Sequence, residues 1–241
     1  MESFDLRTYD DVTVAVVIPA RNEEATITDA VRRAKQFAHD VLVMDGHSTD
    51  ETATRAREAG ARVVLDPGLG KGSALRASLE AVSAEVIVFM DADGSHDPED
   101  IPRLALPVAR GDTDLCVGSR FAGGSDELSA TFGQLVRTIG NVSMNIAINT
   151  RWGVGLTDTL NGFRAVRRAA AVSIGLREDR HTIEQEMVMK MLRHGYRVAN
   201  APTHEYARQH GQSHIRIWRE WPKFVWCVIV NLFPRNRRPK S

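Results

Sequence analysis

Cysteine is nearly absent from this chain. Cys116 and Cys227 lie far apart and form no C-x-x-C pair, which excludes a structural zinc site of that kind and fits a reducing compartment. An excess of either charge is missing too. The 31 Lys and Arg balance 31 Asp and Glu, so nothing points to a polyanionic partner, and no nucleic acid is expected. No apolar run is long enough to cross a membrane. The best, FVWCVIVNLF at 224–233, has ten residues, where a span needs about 20. The opening MESFDLRTYDD is acidic and polar, unlike a secretory signal, and the glycosylation pattern Asn141-Val-Ser143 reads as a chance match in a cytoplasmic chain. Internal repeats and low-complexity tracts are also missing.

Three familiar loops fail as well. An EF-hand would need Gly where His96 stands and Glu where Pro102 stands. A phosphate-binding P-loop around DPGLGKGSA would need Gly at Leu65 and Ser or Thr at Gly72. The G-x-G-x-x-G dinucleotide fingerprint does not follow the first strand.

What is present is an alternation. Apolar, β-branched runs read as strands at 12–18, 40–45, 61–66, 84–91 and 114–120. Helical spacing fills the intervals, as where Ile27, Val31, Ala34 and Phe37 share a face. Ser48-Thr-Asp-Glu51 reads as a capping box opening a helix that Gly60 ends, and Asp97 caps a helix whose first position is Pro98. Repeated strand–helix–strand units predict an α/β fold, a mostly parallel central sheet with helices on both faces. After Arg120 the rhythm breaks. Residues 121–133 read as loop, 134–149 as helix, 150–168 as Gly-rich and then strand-like, 182–195 as helix and 196–202 as a late strand.

In such sheets ligands gather at the carboxyl ends of the strands. The reactive residue types fall there: 19–23, Asp45, 66–71, 91–95 and 118–120. The run VIVFMDADG ends a buried strand in Asp91 and Asp93. Two carboxylates converging at a strand end suit a hard divalent ion, Mg2+ or Mn2+, which commonly also binds a substrate diphosphate.

The segments VVIPARNEEATI, VLVMDGHSTDETA, GKGSALRASLEA, VFMDADGSHDPEDIP, VGSRF, NGFRAVRR and ARQHGQSHI occur in this order. The ordered set resembles family 2 glycosyltransferases of the GT-A fold, most of all the polyprenol-phosphate (dolichol-phosphate) mannosyltransferase branch, over about residues 14–213. The resemblance implies that Pro19, Ala20, Arg21, Asn22 and Glu23 line the base and ribose pocket, that Asp45 hydrogen-bonds the base, and that Lys71, Gly72 and Ala92 lie near the donor. Asp91 and Asp93 would bind donor ribose and metal. Relatives often carry Asp-Asp-Gly-Ser where this chain has Asp45-Gly46-His47-Ser48, so one acid is absent. Many also place Gln where Ser95 stands, which makes Ser95 the third, weaker metal ligand.

The implied reaction moves a hexose, mannose from GDP-mannose foremost, onto a polyprenyl or dolichyl phosphate with inversion. The alternatives are another donor (UDP-glucose or UDP-GlcNAc) or a sugar or small-molecule hydroxyl acceptor with Glu186 as base. A hydroxyl acceptor needs such a base. A lipid phosphate, with a second pKa near 6, does not. It needs cations, and Arg120, Arg137, Arg164 and Arg208, with Ser213, are the expected holders. Asp93, Arg120 and Arg208 are the expected catalytic set, and Asp158 is a further candidate for sugar or acceptor contact. Residues 1–213 would form the catalytic domain. Residues 214–241 carry Trp218 and Trp221 among Arg216, Arg219 and Lys223, then Arg235, Arg237, Arg238 and Lys240. That mixture suits a segment lying in the interface of a membrane, peripherally and at its cytoplasmic face.

Overall fold

A computed structural model describes residues 5–9, 11–126, 132–207 and 217–232. The alternating runs form strands β1 (Val14–Ala20), β2 (Asp40–Asp45), β3 (Arg62–Leu65), β4 (Val86–Phe89), β5 (Leu115–Ser119), β6 (Arg164–Arg167) and β7 (Val198–Pro202). They make one seven-stranded sheet in the order β3-β2-β1-β4-β6-β5-β7. Every pairing is parallel except those of β6, which runs antiparallel to both β4 and β5. The mostly parallel sheet is as expected. The reversed strand in its middle comes from the stretch where the sequence rhythm breaks.

Helices α1 (Ile27–Ala34), α2 (Thr52–Glu58) and α4 (Ile101–Ala109) cover one face. Helices α3 (Lys71–Ala81), α7 (Arg168–Ser173) and α8 (Ile183–Arg193) cover the other. Strand β1 shows how the two cores are divided. Val14, Val16 and Ile18 join the first, while Ala15 and Val17 join the second, as a period of two requires. A short helix, α5 (Arg120–Gly123), follows β5 at once. Helices α6 (Phe132–Trp152) and α9 (Ile217–Leu232) lie over the second face, where Met144, Ile148, Cys227 and Val228 enter its core.

Two local expectations resolve differently. Asp97 does cap, accepting from the Glu99 N–H at 3.1 Å ahead of the turn Pro98–Asp100. Ser48 caps nothing. Its Oγ accepts from the Asn22 N–H at 3.0 Å, and α2 starts only at Thr52, whose N–H reaches Asp50 Oδ1 at 3.0 Å. The hydroxyl is used to tie the β1 and β2 ends together, so the helix begins later.

Candidate active site

The sheet delivers the expected donor residues to one edge, at the carboxyl ends of β1, β2 and β4. Asn22, in the left-handed region at φ 55°, folds back so that its Oδ1 accepts from the Thr49 N–H at 2.8 Å. The Glu23 N–H donates to Thr52 Oγ1 at 2.8 Å. Pro19 and Ala20 end β1, and the Ala20 carbonyl accepts from the Gly46 N–H at 2.8 Å. Arg21 is exposed, with its stem against Gly46. Asp45 is 6% exposed. Its Oδ2 accepts from the Ser48 N–H at 3.3 Å, while its Oδ1 is buried with no partner among the described residues.

Lys71, the first residue of α3, reaches across to two acids. Its Nζ lies 2.6 Å from Asp91 Oδ1 and 2.9 Å from Glu184 Oε1 on α8. The other Glu184 oxygen is buried with no hydrogen-bond partner among the described residues. Gly162 keeps this cluster open, since a Cβ there would sit 3.0 Å from both Asp91 Oδ2 and Lys71 Nζ. Gly72 plays a different part from the expected donor contact. A Cβ on it would lie 2.7 Å from the Asp179 carbonyl carbon, so it lets α3 pack against residues 178–180. Ala92 is 3% exposed and faces the core, which leaves only its main chain for a ligand.

Burial alone pulls the Lys71 ammonium down and pushes the Asp91 carboxyl up. Asp91 and Glu184 more than offset burial at Lys71, and Lys71 with His96 and His181 more than offset it at Asp91, so the Lys71 proton is held more tightly than usual and Asp91 titrates below the ordinary carboxylate range. A depressed carboxylate contributes stability that is present above the unfolded pKa, about 4, and is lost as pH falls through the folded value. Lys71→Met removes the largest attraction and leaves the burial, opposed only by His96 and His181, so the folded Asp91 pKa is expected to rise above the unfolded one and invert the sign. The variant is expected to be less stable at pH 7 by roughly 2 kcal/mol, a figure discounted because Asp91 is 31% exposed. It should regain stability as pH falls from 7 toward 4, where the wild-type site gives no such gain. Denaturant unfolding at several pH values with a chelator present checks this, and a pH-independent deficit would contradict it.

Asp93 lies two residues on. Its Oδ1 accepts from both the Ser95 N–H at 3.0 Å and the Ser95 Oγ at 2.6 Å. Asp93 and Ser95 are thus in contact, and Asp91, two residues before Asp93, is paired with Lys71; all three offer oxygen donors only. That set fits a hard divalent ion. Among the described residues no three His, Cys, Asp or Glu side chains are grouped to hold a metal, so an ion here needs oxygens from a substrate or water. His96, which the motifs did not single out, accepts the Asp91 N–H through Nδ1 at 3.1 Å and stacks on Phe163 at 4.8 Å.

The arginines behave less uniformly. Arg120 is held by buried Asp158, with Nε 2.7 Å from Oδ2 and Nη2 3.1 Å from Oδ1, and its Nη1 lies 3.5 Å from Glu205. Asp158 is thus the orienter of Arg120 rather than an evident sugar contact. Arg164 corrects an expectation. It is 1% exposed and donates to the carbonyls of Glu184 at 2.7 Å, Thr159 at 3.4 Å and Asn161, so the guanidinium meant for a phosphate is a strut bracing the NGF turn. Burial brings its pKa down to about 10, against the pull of Glu184, Asp158 and Asp91. Glu186 is a second correction. Its side chain is 4% exposed, pairs with Lys190 at 2.6 Å and accepts the N–H groups of Arg177 and Glu178 at 2.9–3.1 Å, so it is spent as an anchor and is not free to act as a base. The Arg137 side chain, Arg208 and Ser213 lie outside the described residues.

Glycosyltransferase AglJ from Haloferax volcanii is 35% identical over 203 residues, covering 83% of this chain and 65% of that protein. An undecaprenyl-phosphate 4-deoxy-4-formamido-L-arabinose transferase from Pseudomonas fluorescens is 28% identical over 221 residues, 86% of this chain and 62% of that one. The chain thus spans less than two thirds of the length of either. The fold is that of glucosyl-3-phosphoglycerate synthase from Mycobacterium tuberculosis, solved with Mn2+, UDP and phosphoglyceric acid. That match has a TM-score of 0.74 at 23% identity and covers 100% of this chain and 86% of the other. The profile of glycosyl transferase family 2 matches residues 15–175, and this chain belongs to that family.

Proposed function

We propose that this protein is an inverting, metal-dependent hexosyltransferase that uses a nucleoside-diphosphate sugar, with GDP-mannose the first candidate, and a polyprenyl phosphate as acceptor. The observation that supports this is the Lys71–Asp91 pair at the carboxyl end of the sheet, in the loop that also carries Asp93, beside the ends of β1 and β2 with residues 19–23 and Asp45. Asp91 and Asp93, with Ser95 behind them, would hold Mg2+ or Mn2+ against the donor diphosphate. The ion supplies charge neutralisation for the departing nucleoside diphosphate. Lys71 offers a second positive charge to the same group.

The acceptor assignment rests on what the site does not offer. Glu186 is consumed by its own anchor contacts, so the base required by a hydroxyl acceptor is not found there. An acceptor phosphate arrives already ionised. Arg120, oriented by Asp158, would meet it, together with Arg137, Arg208 and Ser213. The undecaprenyl-phosphate transferases among the relatives support the same class of acceptor.

Such an acceptor lies in a membrane. No described helix is long and apolar enough to cross one. Helix α9 instead turns Val225, Trp226, Ile229 and Val230 outward, with Trp226 66% exposed, while α6 exposes Val142 and Ile146. Residues 214–241, with their basic end, would attach the 1–213 catalytic domain peripherally to the cytoplasmic face.

The test is transfer from a panel of labelled nucleotide sugars to a polyprenyl phosphate in anionic vesicles, with Mg2+ or Mn2+. Metal-dependent label in the lipid is expected, and Trp226→Ser with Ile229→Ser should lower both vesicle recovery and lipid labelling severalfold. Label reaching only soluble hydroxyl acceptors would overturn the acceptor assignment.

A further inference from the structure

Arg120 is the cation assigned above to the acceptor phosphate, yet it already faces two carboxylates. Asp158, with its side chain fully buried, takes Nε at 2.7 Å and Nη2 at 3.1 Å, and that pair is neutral. Buried Arg164 also feels Asp158, but its N–H groups are spent on main-chain carbonyls. Glu205 is a further acid. Its Oε1 lies 3.5 Å from Nη1, the guanidinium nitrogen that Asp158 leaves over. Both side chains reach solvent, at 14% exposure for Arg120 and 16% for Glu205. A second carboxylate at this nitrogen repels any anion that approaches it.

The carboxylate is not what holds its segment in place. The main chain does that. The Glu205 N–H donates to the Gly124 carbonyl at 3.1 Å, and the Glu205 carbonyl accepts from the Asp126 N–H at 2.8 Å. The next N–H, that of Tyr206, donates to the Ser95 carbonyl at 2.9 Å. The contact with Arg120 is also loose, since a charge-assisted hydrogen bond measures about 2.7–2.9 Å. The other oxygen, Oε2, accepts from Ser125 Oγ at 3.0 Å. A hydroxyl is therefore at hand to keep the side chain when another oxygen takes Nη1.

We propose that Glu205 determines acceptor affinity. In the empty enzyme its carboxylate holds the place on Arg120 that the acceptor phosphate takes, and the phosphate binds by displacing it onto Ser125. This rests on the polyprenyl-phosphate reading given above. The contact keeps the acceptor loosely bound. A membrane concentrates its lipids, so a loose hold suffices there, and tighter binding adds nothing to the rate once the site is filled.

The experiment is transfer to a polyprenyl phosphate in vesicles at fixed Mg2+, for wild type and Glu205→Gln, beside thermal melting. Acceptor and donor KM are measured separately, and inorganic phosphate is added as an inhibitor at acceptor levels below KM. The amide keeps the shape and can still accept from Ser125, and the main-chain ties remain, so the melting temperature should hold. The acceptor KM of the variant is expected to fall about tenfold and the inhibition constant of phosphate to fall with it, the scale of one like-charge contact removed, while the donor KM stays put. An acceptor KM unchanged or raised in the variant would overturn the proposal and leave Glu205 as a brace for Arg120. Phosphate inhibition equal in the two proteins, or absent from both, would overturn it too. No label in the lipid with wild type would instead defeat the polyprenyl-phosphate reading, and this proposal with it.

Discussion

Asp93→Asn is expected to cut metal-dependent sugar transfer by roughly a hundredfold or more, with the melting temperature almost unchanged. The asymmetry follows from what the side chain does in the fold. Its Oδ1 serves Ser95 through two hydrogen bonds, and an amide oxygen can accept both, so the turn is preserved. What the amide lacks is charge. A carboxylate that helps hold a divalent ion against a departing diphosphate works mainly in the transition state, where one such group is typically worth a few kcal/mol. Radiolabel transfer at saturating Mn2+, beside a melting curve, separates the two effects. Turnover within threefold of wild type would remove Asp93 from the metal site.

Glu186→Ala should do the reverse, with a large loss of stability and no selective loss of chemistry. The carboxylate is 4% exposed and joins Lys190 to the backbone of residues 177 and 178. Removing it leaves a buried ammonium with the Gly175 carbonyl but no counter-charge and strands two backbone donors, which costs about 3 kcal/mol or more. For a chain of this size that lowers the melting temperature by about 6–12 °C. Below that transition the variant should turn over at a rate within severalfold of wild type. A stable, correctly folded variant with no turnover would restore Glu186 as a base and the hydroxyl acceptor with it.

These two acids show where sequence reading reaches and where it stops. The strand preceding Asp91 and Asp93 is legible because VIVFM is a short, wholly apolar run, and its carboxyl end is where a parallel sheet places ligands. The Glu186–Lys190 pair is legible as an i,i+4 contact. Its burial is not, because the two N–H groups that saturate it come from a loop that helical periodicity does not describe. Arg164 misleads for a related reason. An arginine in NGFR has the right chemistry for a phosphate, yet its solvation is decided by α8 and the 159–161 turn closing over it. Glu184 was visible as an acid on a helix. Only the fold brings it to Lys71, more than a hundred residues earlier, and only then does it become part of the site.

The reversed strand β6 has a consequence for the order of assembly. Strands β1 to β4 pair only among themselves until β6 arrives, so the edge with residues 19–23, Asp45 and Asp91 has its sheet neighbours early in the chain. Strand β5 does not. Both of its hydrogen-bonded neighbours, β6 and β7, lie later in sequence. As the chain leaves the ribosome, Leu115–Ser119 must wait for Arg164–Arg167 before it gains any strand partner, and Arg120 waits with it. Such long-range pairing is intrinsically slow to form. The nascent protein can thus shape the β1–β4 half while the half that carries Arg120 still has an unpaired, apolar strand in need of protection from other chains.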